Sequence, residues 1–168
     1  QPSIGIHINL LVADRQCGAV QRAIAGGIPY TILDRATDTT RFQRDFDRAI
    51  PPNTALIVLA GFMPILPQFI VDKWRGRIIN THPSLLPDYG GIGMYGVKVQ
   101  EAVMKANEER AGCTVHYVTE TVDGGDIILQ KSIDVDYSQT PWQLGGRIFE
   151  EEKKLLVKAV ELLKKGMA

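Results

Sequence analysis

Asn80-Thr-His82-Pro83-Ser-Leu-Leu-Pro87 sets an amide and an imidazole two residues apart, in a chain with three histidines. Residues two apart in an extended segment point the same way, so both side chains can reach one cleft. Histidine takes or gives a proton near neutral pH. An asparagine N–H can hold an oxyanion as it develops. The pair could therefore serve proton transfer at a carbonyl-type centre. Pro83 and Pro87 stiffen the exit from the segment. The spacing leaves a second reading open, in which His82 caps a turn and Asn80 bonds local backbone.

Val122-Asp123-Gly124-Gly125-Asp126 is the second candidate. Two carboxylates flank a Gly-Gly pair that lets the backbone reach positive φ. An ordinary turn reads the same way. Asp123 close to His82 would favour the charged imidazole and fix its orientation. His116, in Gly112-Cys-Thr-Val-His-Tyr-Val118, reads as a satisfied sheet residue, and His7 as structural. No metal site is expected, because His82 and His116 lack ligand spacing and no cysteine pair helps. No G-x-S-x-G elbow is present. Gly90-Gly-Ile-Gly93 lacks the register of a nucleotide loop.

These residues need a frame. Ile6 to Val12, Ile28 to Leu33, Ala55 to Ala60, Gly76 to Thr81, Gly112 to Val118 and Asp126 to Val135 read as strands. The run from Ala55 does not alternate, so both its faces are expected to be covered. Helices are expected over 17–25, ended by Gly26-Gly27, and after an Asp38 or Thr39 cap, with Phe42, Phe46 and Ile50 on one face. Pro51-Pro52 stop the latter. Further helices are expected over 66–74, 95–106 and from Pro141 to Gly166. Thr140 is the N-cap candidate of the last one, whose core stripe is Leu144, Ile148, Leu155, Val160 and Leu163. Strand–helix alternation predicts an α/β fold: a Rossmann-like, mainly parallel twisted sheet with flanking helices. Ligands of such sheets bind beyond the carboxyl ends of strands, where Asn80 and His82 lie.

The 168 residues fit one domain. Nineteen basic residues balance nineteen acidic ones, so bulk charge points to no nucleic-acid or membrane partner. No apolar run is long enough to span a bilayer, and no signal peptide is visible. Isolated Cys17 and Cys113 fit a reduced, cytoplasmic setting.

Four segments occur in order: Leu59-Ala-Gly-Phe-Met63, Asn80 to Pro87, Gly112 to Val118, and Asp123-Gly-Gly-Asp-Ile-Ile-Leu-Gln130. As a set they resemble the formyltransferase family, in the branch that acts on glycinamide ribonucleotide, from about residue 8 to about residue 160. His-Pro-Ser-Leu-Leu-Pro points to that branch; the related formyltetrahydrofolate hydrolases look more like His-His-Ser-Phe-Leu-Pro. The family's catalytic trio falls on Asn80, His82 and Asp123. The resemblance implies that the amine of glycinamide ribonucleotide attacks the formyl carbon of 10-formyltetrahydrofolate, with no metal. It implies folate contacts from Met63, Pro64, Ile65 and Leu66 and from the loop Thr119 to Asp123, with Val122 among them. Many relatives have Arg where Pro64 stands. Glu152 matches a glutamate that contacts the ribonucleotide, although Glu150-Glu-Glu152-Lys-Lys154 also reads as a solvated helix face. The loop Asp88 to Tyr95 is expected to move over the site. A monomer or homodimer is expected.

The family opens with a strand and a Ser-Gly-x-Gly-(Ser/Thr)-Asn loop that cradles phosphate. This chain opens Gln1-Pro2-Ser3, and His7 to Asp14 aligns with the family's second strand. Residues 1–168 are thus expected to be a single formyltransferase domain lacking the first βα unit, about 25 residues. The favoured expectation is an incomplete sequence of an ordinary enzyme. The alternatives are a fragment whose gap is filled by another chain or by rearranged pairing, a catalytically impaired folate-binding remnant, and a formyltetrahydrofolate hydrolase.

Overall fold

The computed structural model describes residues 5–34 and 39–166. The chain divides into two compact units, residues 1–55 and 56–168. The first holds β1 (Leu11–Ala13), α1 (Gly18–Ala25), β2 (Tyr30–Ile32) and α2 (Thr39–Ala49). β1 and β2 pair in parallel, Leu11 opposite Tyr30. α1 ends as its two glycines predict: Gly26 N–H donates to the Arg22 carbonyl, and Gly27 takes φ +65°. Phe42 and Phe46 are buried one turn apart on α2, their ring centroids 6.2 Å apart. The Asp38 alternative for the cap of α2 lies outside the described residues.

The second unit holds β3 (Ile57–Leu59), α3 (Gln68–Lys73), β4 (Ile78–His82), α4 (Val97–Lys105), β5 (Arg110–Tyr117), β6 (Ile127–Asp134) and α5 (Pro141–Gly166). Its sheet runs β3-β4-β5-β6. β3 and β4 are parallel, while β5 lies antiparallel to β4 and β6 antiparallel to β5. The α/β class is as the alternation predicts. The chain between β5 and β6 carries no helix, so β6 can only return antiparallel. One expectation fails at β3. Ile57 and Leu59 are buried but Val58, opposite Ile79, is 40% exposed, so one face of this edge strand is left uncovered.

One face of the sheet packs on α5. Ile79, Cys113, Val115, Leu144, Ile148, Leu155 and Ala159 form the core, joined by Val103 of α4, with Val160 and Leu163 partly buried against it. Each fully buried aliphatic side chain contributes roughly 1.5–3 kcal/mol. The start of α5 is a reciprocal cap. Gln143 N–H donates to Thr140 Oγ1 at 3.3 Å, and Thr140 N–H donates to Gln143 Oε1 at 2.8 Å. This core holds β4 and β5 in register, and that register sets the other face.

Candidate functional site

Asn80 lies opposite His116 and His82 opposite Thr114 across the β4–β5 ladder. Directly opposed residues share a face. Four polar side chains therefore project together from the face away from Cys113 and Val115. His82, Thr114 and His116 are buried and Asn80 half-buried.

Asp123 completes the cluster. Its Oδ2 stands 3.3 Å from His82 Nδ1, and its Oδ1 3.6 Å from His116 Nε2. The carboxylate is held by its backbone. Asp123 itself takes φ +55°, whereas neither glycine after it does. The Gly-Gly pair has another use, which corrects the expectation that it supplies the positive φ. A Cβ on Gly125 would stand 1.9 Å from the Tyr117 carbonyl oxygen, so only glycine lets the turn close against β5.

His116 is the satisfied sheet residue that the sequence predicts, lying within β5, and its place opposite Asn80 also gives it a part in the site. Its Nδ1 stands 2.9 Å from the Tyr117 carbonyl and must donate there. In the neutral ring Nε2 is then bare, and it accepts from Asn80 Nδ2 at 3.2 Å. Burial pushes the His116 imidazole below its ordinary value, outweighing the Tyr117 carbonyl and Asp123, which pull upward. A neutral His116 thereby orients the Asn80 amide. The available signal was the register: a histidine two residues after Thr114 falls opposite Asn80 once β4 and β5 pair.

His82 has acceptors on both ring nitrogens, Asp123 at Nδ1 and the Tyr89 carbonyl at Nε2, 2.9 Å away. Gly91 N–H donates to Asp123 Oδ2 at 3.0 Å. The loop 83–96 thus touches both His82 and Asp123. Its Tyr89 side chain is anchored elsewhere, the hydroxyl donating to Glu108 Oε1 at 2.7 Å, and that bond pushes the phenol up to about 12.

Glu152 departs from the solvated-face reading. Glu150 and Glu151 pair with Lys153 and Lys154, but Glu152 turns inward to a hydrogen bond with the Thr81 side chain. Burial pushes its carboxyl up, against the opposing pull of Thr81 and His82. The structure therefore brings Glu152 beside the strand that carries Asn80 and His82. Met63 to Leu66 leave the carboxyl end of β3, where Leu59 pairs with Asn80. Met63 is 50% exposed and Ile65 63%, with Pro64 and Leu66 half-buried. Thr119 is exposed and Val122 half-buried in the turn before Asp123. Among the described residues no helix is long and apolar enough to cross a membrane.

An amide, an imidazole and a carboxylate converge on one face of the sheet at the carboxyl end of β4, with Asn80 and His82 inside that strand rather than beyond it. This arrangement suits acid–base group transfer at a carbonyl carbon. The chain belongs to the formyl transferase family, whose model matches residues 1–160 and runs through both units. The chloroplastic phosphoribosylglycinamide formyltransferase of Arabidopsis thaliana is 32% identical over 169 residues, 94% of this chain and 56% of that protein. The trifunctional purine biosynthetic protein adenosine-3 of Chironomus tentans is 37% identical over 150 residues, 88% of this chain and 11% of that protein. The chain thus spans about half the plant relative and a small part of the insect one. The crystallised phosphoribosylglycinamide formyltransferase of Coxiella burnetii superposes with TM-score 0.86 at 31% identity, covering 98% of this chain and 77% of that one. A formyltetrahydrofolate deformylase from Pseudomonas putida gives 0.78 at 27% identity, covering 94% and 55%.

Proposed function

We propose that this chain transfers the formyl group of 10-formyltetrahydrofolate to the amine of glycinamide ribonucleotide, a step of purine biosynthesis. One observation carries the reading: His82 sits between the Asp123 carboxylate and a carbonyl oxygen 2.9 Å from Nε2. That oxygen, from Tyr89, stands where an oxyanion would be held, since useful donors lie roughly 2.7–3.1 Å from it.

The substrate amine attacks the formyl carbon and a C–N bond forms. The formyl oxygen becomes an oxyanion, which takes the place of the Tyr89 carbonyl at His82 Nε2. Asn80, its amide oriented by His116, donates its second amide hydrogen to the same oxygen. Asp123 holds the His82 ring through Nδ1 and assists the amine proton on its way to the departing folate nitrogen, directly or through water. The old C–N bond then breaks, the folate nitrogen gains the proton, and the charges balance. The folate delivers an already activated formyl group, so the reaction calls for no metal.

Exposed Met63 and Ile65, with Pro64 and Leu66, offer apolar cover to a flat pterin, and the Thr119 to Asp123 turn offers backbone partners. Glu152 faces the ribonucleotide from α5. We take the protein to act as a monomer or homodimer in the cytoplasm.

The test is turnover by the purified protein with both substrates. The expected outcome is saturable formylation of the amine, reduced about 10²–10⁴-fold in Asp123→Asn. Formate released without an acceptor would identify a hydrolase instead. Folate binding with no turnover would leave only a binding module.

A further inference from the structure

The loop that follows His82 is held by side chains. Gln100 Nε2 donates to the Pro83 carbonyl at 2.9 Å, and Ser84 Oγ to the Asp88 carbonyl at 2.6 Å. Thr114 Oγ1 donates to the Ser84 carbonyl at 2.7 Å and accepts from Leu86 N–H at 3.1 Å. Gln130 Nε2 donates twice, to Thr114 Oγ1 at 2.9 Å and to the Leu86 carbonyl at 2.9 Å. A hydroxyl has one hydrogen and two lone pairs, so Thr114 is fully satisfied. Both backbone groups of Leu86 are paired, as a neighbouring strand would pair them.

His82, Thr114 and Gln130 also form one row across three strands, with His82 opposite Thr114 and Thr114 opposite Gln130. The row begins at the proposed catalytic imidazole and ends at the rim of the sheet. Gln130 is exposed, while Thr114 is completely buried. The amide of Gln130 reaches inward from solvent to the two groups that need it.

We infer that Gln130 is a positioning residue for His82, acting with Thr114 by holding the Ser84 to Leu86 backbone. The inference rests on the functional reading above and extends it to a residue that touches no substrate. The held segment leaves β4 immediately after His82 and leads to Tyr89, whose carbonyl meets Nε2. The tie keeps the base of the loop in place while residues from Asp88 onward give way to substrate. Without Gln130 the Leu86 carbonyl loses its partner and Thr114 Oγ1 loses one donor, and the segment between them and His82 shifts. Errors of about 1 Å at a reacting group can cost about 10²-fold in rate.

Gln130→Leu and Thr114→Val each remove the tie, and Thr114→Ser keeps the hydroxyl. Gln130 is exposed, so its replacement opens no core cavity, and a thermal melt checks folding. Expected are a fall in kcat of about tenfold or more for Gln130→Leu and Thr114→Val, KM for both substrates within about threefold, and recovery in Thr114→Ser. The double variant is expected to lose little more than either single one, because both break one network. In ¹⁵N spectra the Nε2 signal of His82 should move in Gln130→Leu relative to the parent. A folded Gln130→Leu protein with parental kcat and an unmoved Nε2 signal would overturn the inference, as would a change in KM alone. If the parent chain transfers no formyl group, the functional reading fails, and the Nε2 signal still decides this one.

Discussion

The two faces of β5 are equally closed to solvent and do opposite work. Cys113 and Val115 on one side, and Thr114 and His116 on the other, are all at most 2% exposed. The first pair packs against Leu144 and Ile148 of α5 with no directional demand. The second pair has to satisfy every polar atom: Thr114 through three hydrogen bonds, His116 through Asn80 and Tyr117. Burial alone therefore does not say what a residue is for. The apolar face supplies free energy that tolerates small rearrangements. The polar face supplies geometry, which one missing partner upsets.

The sharpest way to break the comparison is to cut each face in turn. His82→Ala should lower kcat about 10²–10⁴-fold with little change in melting temperature. Leu144→Ala should do the reverse, costing about 2–5 kcal/mol of stability through the cavity it leaves while the folded fraction keeps its rate. Equal damage to rate and stability in both variants would erase the distinction between the faces.

A smaller effect sits at His116. Its folded-state value is lowered by burial, so the folded chain resists protonation that the unfolded chain accepts. The stability this contributes is complete above the ordinary histidine value of 6.5 and is lost as pH falls from there toward the folded value. Denaturant melts between pH 7 and pH 5, bracketing about 6.5, should show the parent losing stability faster than His116→Asn. Parallel pH slopes would place His116 outside that balance. The smallest effect lies on the apolar side, at the cap of α5. Thr140→Ala should cost about 1 kcal/mol with no change in kcat, read as a shift in the denaturation midpoint.

Asn80 and His82 were legible because a period of two in a strand aims both at one place whatever surrounds them. Asp123 was legible as a carboxylate beside a glycine turn, and its match to the trio came from the order of four short motifs. His116 was not. Its role depends on lying opposite Asn80, a pairing between residues 36 positions apart, and on the Tyr117 carbonyl that selects its tautomer. Glu152 was singled out only by the family resemblance, since by side-chain type three consecutive glutamates look alike until the helix is packed.

Composition, alternation and capping residues by themselves determined the α/β class, the last helix from Pro141 and the chemistry available at Asn80, His82 and Asp123. Those are local properties, written in side-chain type and short-range spacing. Only the tertiary structure decided that β5 runs antiparallel to β4, that Asp123 rather than a glycine carries the positive φ, and that Tyr89, His116 and Gln130 meet the site. Each of those depends on hydrogen bonds closed between distant segments, and their directions exist only once the strands are in register.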